Sequence, residues 1–160
     1  MEAVNRTGTP TPAAGLNRPA LDLLQDALRA VQAKDLPALD ALVTDDAVFI
    51  DPHYPIRRMA GRGAVARGLG WSFGTIDSFR FRIVQGFQTA DGEHAAVEVD
   101  CDHTLRGGRH LAFRQVFVAD ARAGRITRLE AYEPYGPGGL VGWVLRLTRF
   151  GWWVRRLVRR

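Results

Sequence analysis

The chain is poor in the features that would settle its class at once. Its single cysteine, Cys101, excludes an internal disulfide framework and any zinc site built from several thiolates. No run of eighteen uncharged apolar residues is present, so nothing reads as a membrane span. The opening residues MEAVNRTGTPTPAAG lack the apolar core of a secretion signal, and the expected location is therefore cytoplasmic. A glycine-rich phosphate loop after a strand is missing, because Gly61-Arg62-Gly63 lacks the Lys-Ser/Thr that completes that motif. Ser72 and Ser78 lack the flanking glycines of a nucleophile elbow. His53, His94, His103 and His110 show no spacing that sets two ligands beside a carboxylate, so no metal is expected. Neither metal nor cofactor enters the reading.

What remains is an ordinary globular composition: 46% apolar and 24% charged residues over 160 positions, one domain's worth of chain. The net charge of +5 is unevenly spread. Residues 140–160 carry six arginines (Arg146, Arg149, Arg155, Arg156, Arg159, Arg160) and no acid, which leaves residues 1–139 at −1. A nucleic-acid-binding domain needs a basic face of its own, and this body has none to offer.

Three parts follow from the patterning. Residues 1–18, rich in Thr, Pro, Ala and Gly, read as a flexible leader. Within 19–136, Leu21, Leu24, Leu28 and Val31 predict a helix ending near Lys34, and Asp35 can cap a second helix carrying Leu36, Leu39 and Leu42. Ala47–Asp51 predicts a strand that stops at Pro52, and Gly61 to Leu69 a third, short helix. From Phe79 the period falls to two. Strands are expected over Phe79–Val84, His94–Thr104, the segment holding Leu111, Phe113, Gln115 and Phe117, and Ile126–Glu133. Helices followed by an antiparallel meander make an α+β layout enclosing a space. Residues 137–160 predict an amphipathic helix, with Leu140, Trp143, Val144, Leu147, Phe150, Val154, Leu157 and Val158 on one side and the arginines on the other. An apolar face, an all-basic polar face and indoles form the pattern of a helix lying on anionic lipid, while a lid over the domain or a dimer contact are competing uses. The protein could thus sit peripherally at the inner membrane face.

Asp51 is the first candidate for chemistry. It ends an apolar strand on the face of Ala47 and Phe49, where a carboxylate before proline is either a turn-maker or a general base. Three stretches give this part of the chain a resemblance: Thr44–Pro52, Met59–Val65 and Gly124–Tyr132. They resemble the ketosteroid-isomerase and SnoaL-like polyketide-cyclase branch of the nuclear-transport-factor-two-like superfamily. The resemblance implies a cone-shaped barrel, a curved antiparallel sheet wrapped around three N-terminal helices with an apolar pocket at its open end. It implies a homodimer through the outer sheet face, and a hydrophobic small molecule as substrate or ligand. Asp51 would be the base that lifts a proton α to a carbonyl.

The oxyanion-hole tyrosine of that family falls on Ala27, which has no donor. Its second donor falls on Gln115 if the Ala121–Ala123 hairpin carries one extra residue and on Val116 if it does not; Gln115, on the face of Leu111, Phe113 and Phe117, has an amide that can still serve. Glu133 and His53 are candidate assisting acids or bases. Phe49, Tyr54, Trp71, Phe73, Val99, His103, Phe113, Leu129 and Ala131 are the expected pocket lining. An isomerase or cyclase without cofactor, a non-catalytic binder or interaction module, and an epoxide hydrolase all fit this resemblance. For the tail, the expected outcome is that the protein co-sediments with anionic vesicles and that deletion of residues 140–160 abolishes it; co-sedimentation surviving the deletion would remove the lipid reading.

Overall fold

The computed structural model describes residues 18–133 together with Trp143, Leu147 and Phe150. The leader, Arg18 apart, and the tail helix, those three residues apart, lie outside the described residues. The first helix, α1 (Ala20–Ala33), buries Ala20, Leu23, Leu24, Ala27 and Leu28 along one stripe. It ends where Lys34 adopts a left-handed conformation (φ 56°) and returns its N–H to the carbonyls of Ala30 and Val31. Helix α2 (Leu36–Leu42) starts on the Asp35 side chain, which accepts from the Ala38 N–H at 2.9 Å.

Strand β1 (Val43–Ile50) and the short β2 (Arg58–Ala60) form a hairpin, and α3 (Arg62–Thr75) follows. Val65, Leu69 and Ser72 form the buried line of α3. The helix is longer than its glycines suggest, so Trp71 and Phe73 belong to it rather than following it. Its last turn is held from outside: the Lys34 ammonium donates to the carbonyl oxygens of Phe73 (3.1 Å) and Ile76 (2.6 Å).

The remaining strands are β3 (Ile76–Ser78), β4 (Phe81–Gln88), β5 (His94–Leu105), β6 (His110–Arg122) and β7 (Arg125–Tyr132). They assemble with β1 and β2 into one seven-stranded sheet of order β2-β1-β7-β6-β5-β3, with β4 also paired to β5. Register shifts in the β1/β7, β3/β5, β4/β5 and β6/β7 pairings curl the sheet into a half-barrel. The sheet is mixed, which corrects the expectation of an antiparallel one: β1 runs parallel to β7, with Phe49 opposite Leu129 and Ile50 opposite Glu130. The long chain between them, which includes α3, supplies the crossover that a parallel pair requires. Two strands leaving the sheet in the same direction bring Asp51, His53 and Glu133 to one end.

The core lies between the helices and the concave face of the sheet, where Ala95, Val97, Val99 and Cys101 of β5 face inward with Phe117, Ala119 and Ala121 of β6. Gly86 of β4 lets α1 approach closely, since a Cβ there would stand 2.8 Å from Leu21 Cδ1 and 3.2 Å from Val97 Cγ1. Truncating Leu24, which is fully buried, is expected to cost about 2–5 kcal/mol. Gly86→Val is expected to cost about 1–3 kcal/mol through overpacking. Both would be read as lower denaturant midpoints at unchanged slope.

Candidate functional site

The helices do not fill the concave face. A cavity of about 210 Å³ remains, walled almost wholly by carbon from all three helices and all seven strands. Phe49, Tyr54, Trp71, His103, Phe113 and Leu129 line it, as do Asp51, His53 and Gln115. Phe73, Val99 and Ala131 do not. Phe73 turns edge-on to Phe79 (ring centroids 5.7 Å apart), while Val99 and Ala131 are packed into the core. Alternation places Val99 and Ala131 on the concave face correctly, but that face is wider than the cavity. Sequence reading missed Ile76, Phe79, Phe81, Met59 and Leu111 on the wall, and Ala27 contributes there a methyl group and no donor.

At the end where β1 and β7 leave the sheet, three ionisable groups meet. Asp51 Oδ1 accepts the His53 backbone N–H at 2.9 Å and stands 3.0 Å from His53 Nδ1. The other ring nitrogen, Nε2, pairs with Glu133 Oε1. Asp51 is therefore a turn-maker through Oδ1, and that oxygen also holds the imidazole; Oδ2 accepts no hydrogen bond from the described residues. The Asp51 and Glu133 side chains are 15% and 17% exposed against 37% for His53, so the triad spans from cavity wall to solvent. The His53 ring also lies 4.9 Å from that of Phe113. Its hydrogen bond to Asp51 holds the imidazole above its usual range; partial burial opposes this, and the charges of Asp51 and Glu133 reinforce it.

His103, in contrast, is buried among Phe79, Phe81 and Phe113. Burial pushes its pKa down, and the proximity of His53 adds to this. Its Nδ1 accepts the Arg80 N–H at 3.3 Å, which leaves the proton of the neutral ring on Nε2. Tyr54, raised to about 12 by burial, donates to Ser72 Oγ at 3.2 Å, and Ser72 Oγ donates to the Leu69 carbonyl at 2.9 Å. Gln115 is 2% exposed, and its Nε2 has no partner among the described residues. An amide nitrogen buried without a partner costs about 1–3 kcal/mol. The mostly apolar wall thus includes an unpaired amide, Gln115, and a carboxylate, Asp51.

The sequence model of the SnoaL-like domain matches residues 24–129. Among curated proteins no sequence matches. Solved structures share the fold. A Δ5-3-ketosteroid isomerase from a Mycobacterium species is 24% identical and superposes with a TM-score of 0.64, over 72% of this chain and 93% of its own. A Mycobacterium tuberculosis protein solved with estradiol-17β-hemisuccinate gives 24% and 0.64, over 72% and 94%. A candidate polyketide cyclase from Pseudomonas putida gives 22% and 0.61, over 80% and 97%.

The His53 contact with Asp51 makes a pH prediction. Since the folded pKa lies above the unfolded value of about 6.5, the stabilisation is complete below that value and is lost as pH rises through the folded one. The stability difference between wild type and His53→Gln should therefore be largest in mild acid and shrink toward alkaline pH. An NMR titration should find the His53 pKa above 6.5 and lower in Asp51→Asn. A stability difference that grows with pH would contradict this geometry.

Proposed function

Because the chain belongs to the SnoaL-like domain family, a fold that serves several chemistries, we propose that its cavity carries out cofactor-free acid/base chemistry of the isomerase or cyclase type on a hydrophobic, carbonyl-bearing molecule. One observation carries the reading: the carbon-lined cavity has both a carboxylate, Asp51, and an unpaired amide donor, Gln115, in its wall. Asp51 Oδ2 takes a proton from the carbon α to the carbonyl. The electron pair moves onto the carbonyl oxygen, and the Gln115 N–H groups stabilise the resulting enolate oxygen. In an isomerase, Asp51 returns the proton to another carbon of the same molecule. In a cyclase, the enolate carbon attacks a second carbonyl of the chain and the new alkoxide takes the proton. His53 and Glu133 stand behind Asp51 and fix the carboxylate that turns toward the substrate. Phe49, Trp71, Phe113 and Leu129 exclude water and hold the apolar body of the molecule. The fold neighbour solved with a steroid ester supports a ligand of this class.

Two further parts complete the reading. The tail helix would set the protein at an anionic membrane face, near a substrate dissolved there; Trp143, Leu147 and Phe150 are helical and exposed, consistent with its apolar stripe. Pairing of two copies through the outer sheet face would cover Phe87, which β4 leaves exposed opposite Ala96. The second function reading, a carrier that binds without reaction, is favoured by Ala27 and by the engagement of the Tyr54 hydroxyl with Ser72. Epoxide hydrolysis through an Asp–Arg–Asp arrangement finds no support, because no arginine lines the cavity among the described residues.

The two main readings separate in native mass spectrometry of protein recovered from its own host, wild type beside Asp51→Asn. The enzyme reading expects the variant to retain a small molecule that wild type converts, with turnover of that molecule reduced about 10²–10⁴-fold. The same unaltered ligand in both proteins would make Asp51 structural and the protein a carrier.

A further inference from the structure

The one cysteine of the chain has no place in the acid/base reading, yet it touches a residue that does. Cys101 and Gln115 sit on adjacent strands with their side chains on the concave face, and Cys101 Sγ lies 3.7 Å from Gln115 Oε1. Cys101 is 2% exposed, and burial raises its thiol to about 12, so it keeps its hydrogen at every physiological pH. A thiol is a weak donor and a weak acceptor, and here its hydrogen points to the amide oxygen. An amide can present either its oxygen or its NH2 group in a given direction with little change of shape. Here the thiol contact favours one of the two. With Oε1 taken by the thiol, Nε2 is left without a partner in a residue that lines the cavity.

We propose that Cys101 is a positioning residue whose thiol hydrogen fixes the Gln115 amide with its N–H groups toward the cavity, so that the pocket selects apolar ligands bearing a hydrogen-bond acceptor such as a ketone or enolate oxygen. This rests on the assignment of Gln115 as the donor and adds what orients it. Without the thiol the amide is free to rotate, and a ligand donor becomes as acceptable as a ligand acceptor. A hydroxyl at the same position would keep the amide in place, since it donates more strongly than a thiol.

The test uses the full chain and a pair of probes that differ only in the acceptor: 2-acetylnaphthalene and its isosteric alkene, 2-isopropenylnaphthalene. Affinities are measured by titration calorimetry or by competition for a fluorescent ligand. Wild type is expected to prefer the ketone by roughly tenfold, the worth of one satisfied buried donor. Gln115→Leu should abolish the preference, Cys101→Ala should reduce it to less than about threefold, and Cys101→Ser should restore it. Full discrimination in Cys101→Ala would overturn the role of the thiol while leaving Gln115 as the donor. So would a Cys101→Ser variant as impaired as Cys101→Ala, which would mark a packing role. No discrimination in wild type would overturn the Gln115 assignment itself. Infrared spectroscopy gives a check that does not depend on folded Cys101 variants. The chain has one thiol, so its S–H stretching band belongs to Cys101 and should shift to higher frequency in Gln115→Leu. An unmoved band would refute the contact.

Discussion

One strongly curled sheet with a single concave face sets the terms for everything else in this protein. The face must be shielded from water, and three helices are available to do it. α1 covers it with Leu23, Leu24 and Leu28, but presents only a methyl at Ala27; α3 contributes Leu69 and Ser72. Helices of these lengths with side chains of these sizes cover part of the face and leave the rest as a cavity bounded by Phe79, Phe81, Phe113 and Phe117. The helices also depend on the sheet and on each other: the last turn of α3 relies on the Lys34 ammonium from the end of α1. The cavity is a consequence of incomplete coverage. Its shape is therefore as rigid as the packing around it.

Polar groups in such a wall are costly unless they are paired or used. Two buried ones illustrate the difference. His103 is kept neutral by burial and accepts a backbone N–H, so it adds no charge to the cavity. Gln115 has an engaged oxygen and a free amide nitrogen. On the proposed reading the cost of that unpaired nitrogen, present in the empty protein, is relieved when a ligand oxygen arrives, and part of the selectivity is stored in the fold before binding occurs. An exposed donor would offer no such selectivity, because water would satisfy it equally well.

Much of this could be read from the sequence where local chemistry decides. The alternation in β5 and β6 identifies Val97, Cys101, His103, Phe113 and Gln115 as facing inward, and Asp35 marks the start of α2. The departures arise where distant parts of the chain decide. Gly68, Gly70 and Gly74 argue for a helix ending at Leu69, yet α3 runs to Thr75 because burial of Ser72 and the capping ammonium outweigh propensity. The parallel pairing of β1 and β7 leaves no local signal, and neither does the three-residue β2. Val99 and Ala131 show the limit of period-two reasoning. It tells which side of the sheet a residue occupies, and not whether a helix lies over it.

The meeting of Asp51, His53 and Glu133 follows from that same parallel pairing, and it changes what a single pocket carboxylate can do. A lone aspartate that has taken a proton can only give it back within the cavity. Here its Oδ1 is joined to His53 Nδ1, and the opposite ring nitrogen is joined to Glu133 at the rim. An imidazole can accept on one nitrogen while releasing from the other, so the triad joins two part-buried carboxylates through a ring that water reaches. The raised His53 pKa means the ring carries positive charge over a wider pH range than a free histidine, and that charge lies between two carboxylates. Their mutual repulsion is thereby relieved, which allows both acids to sit at the end of one sheet without either being driven from it.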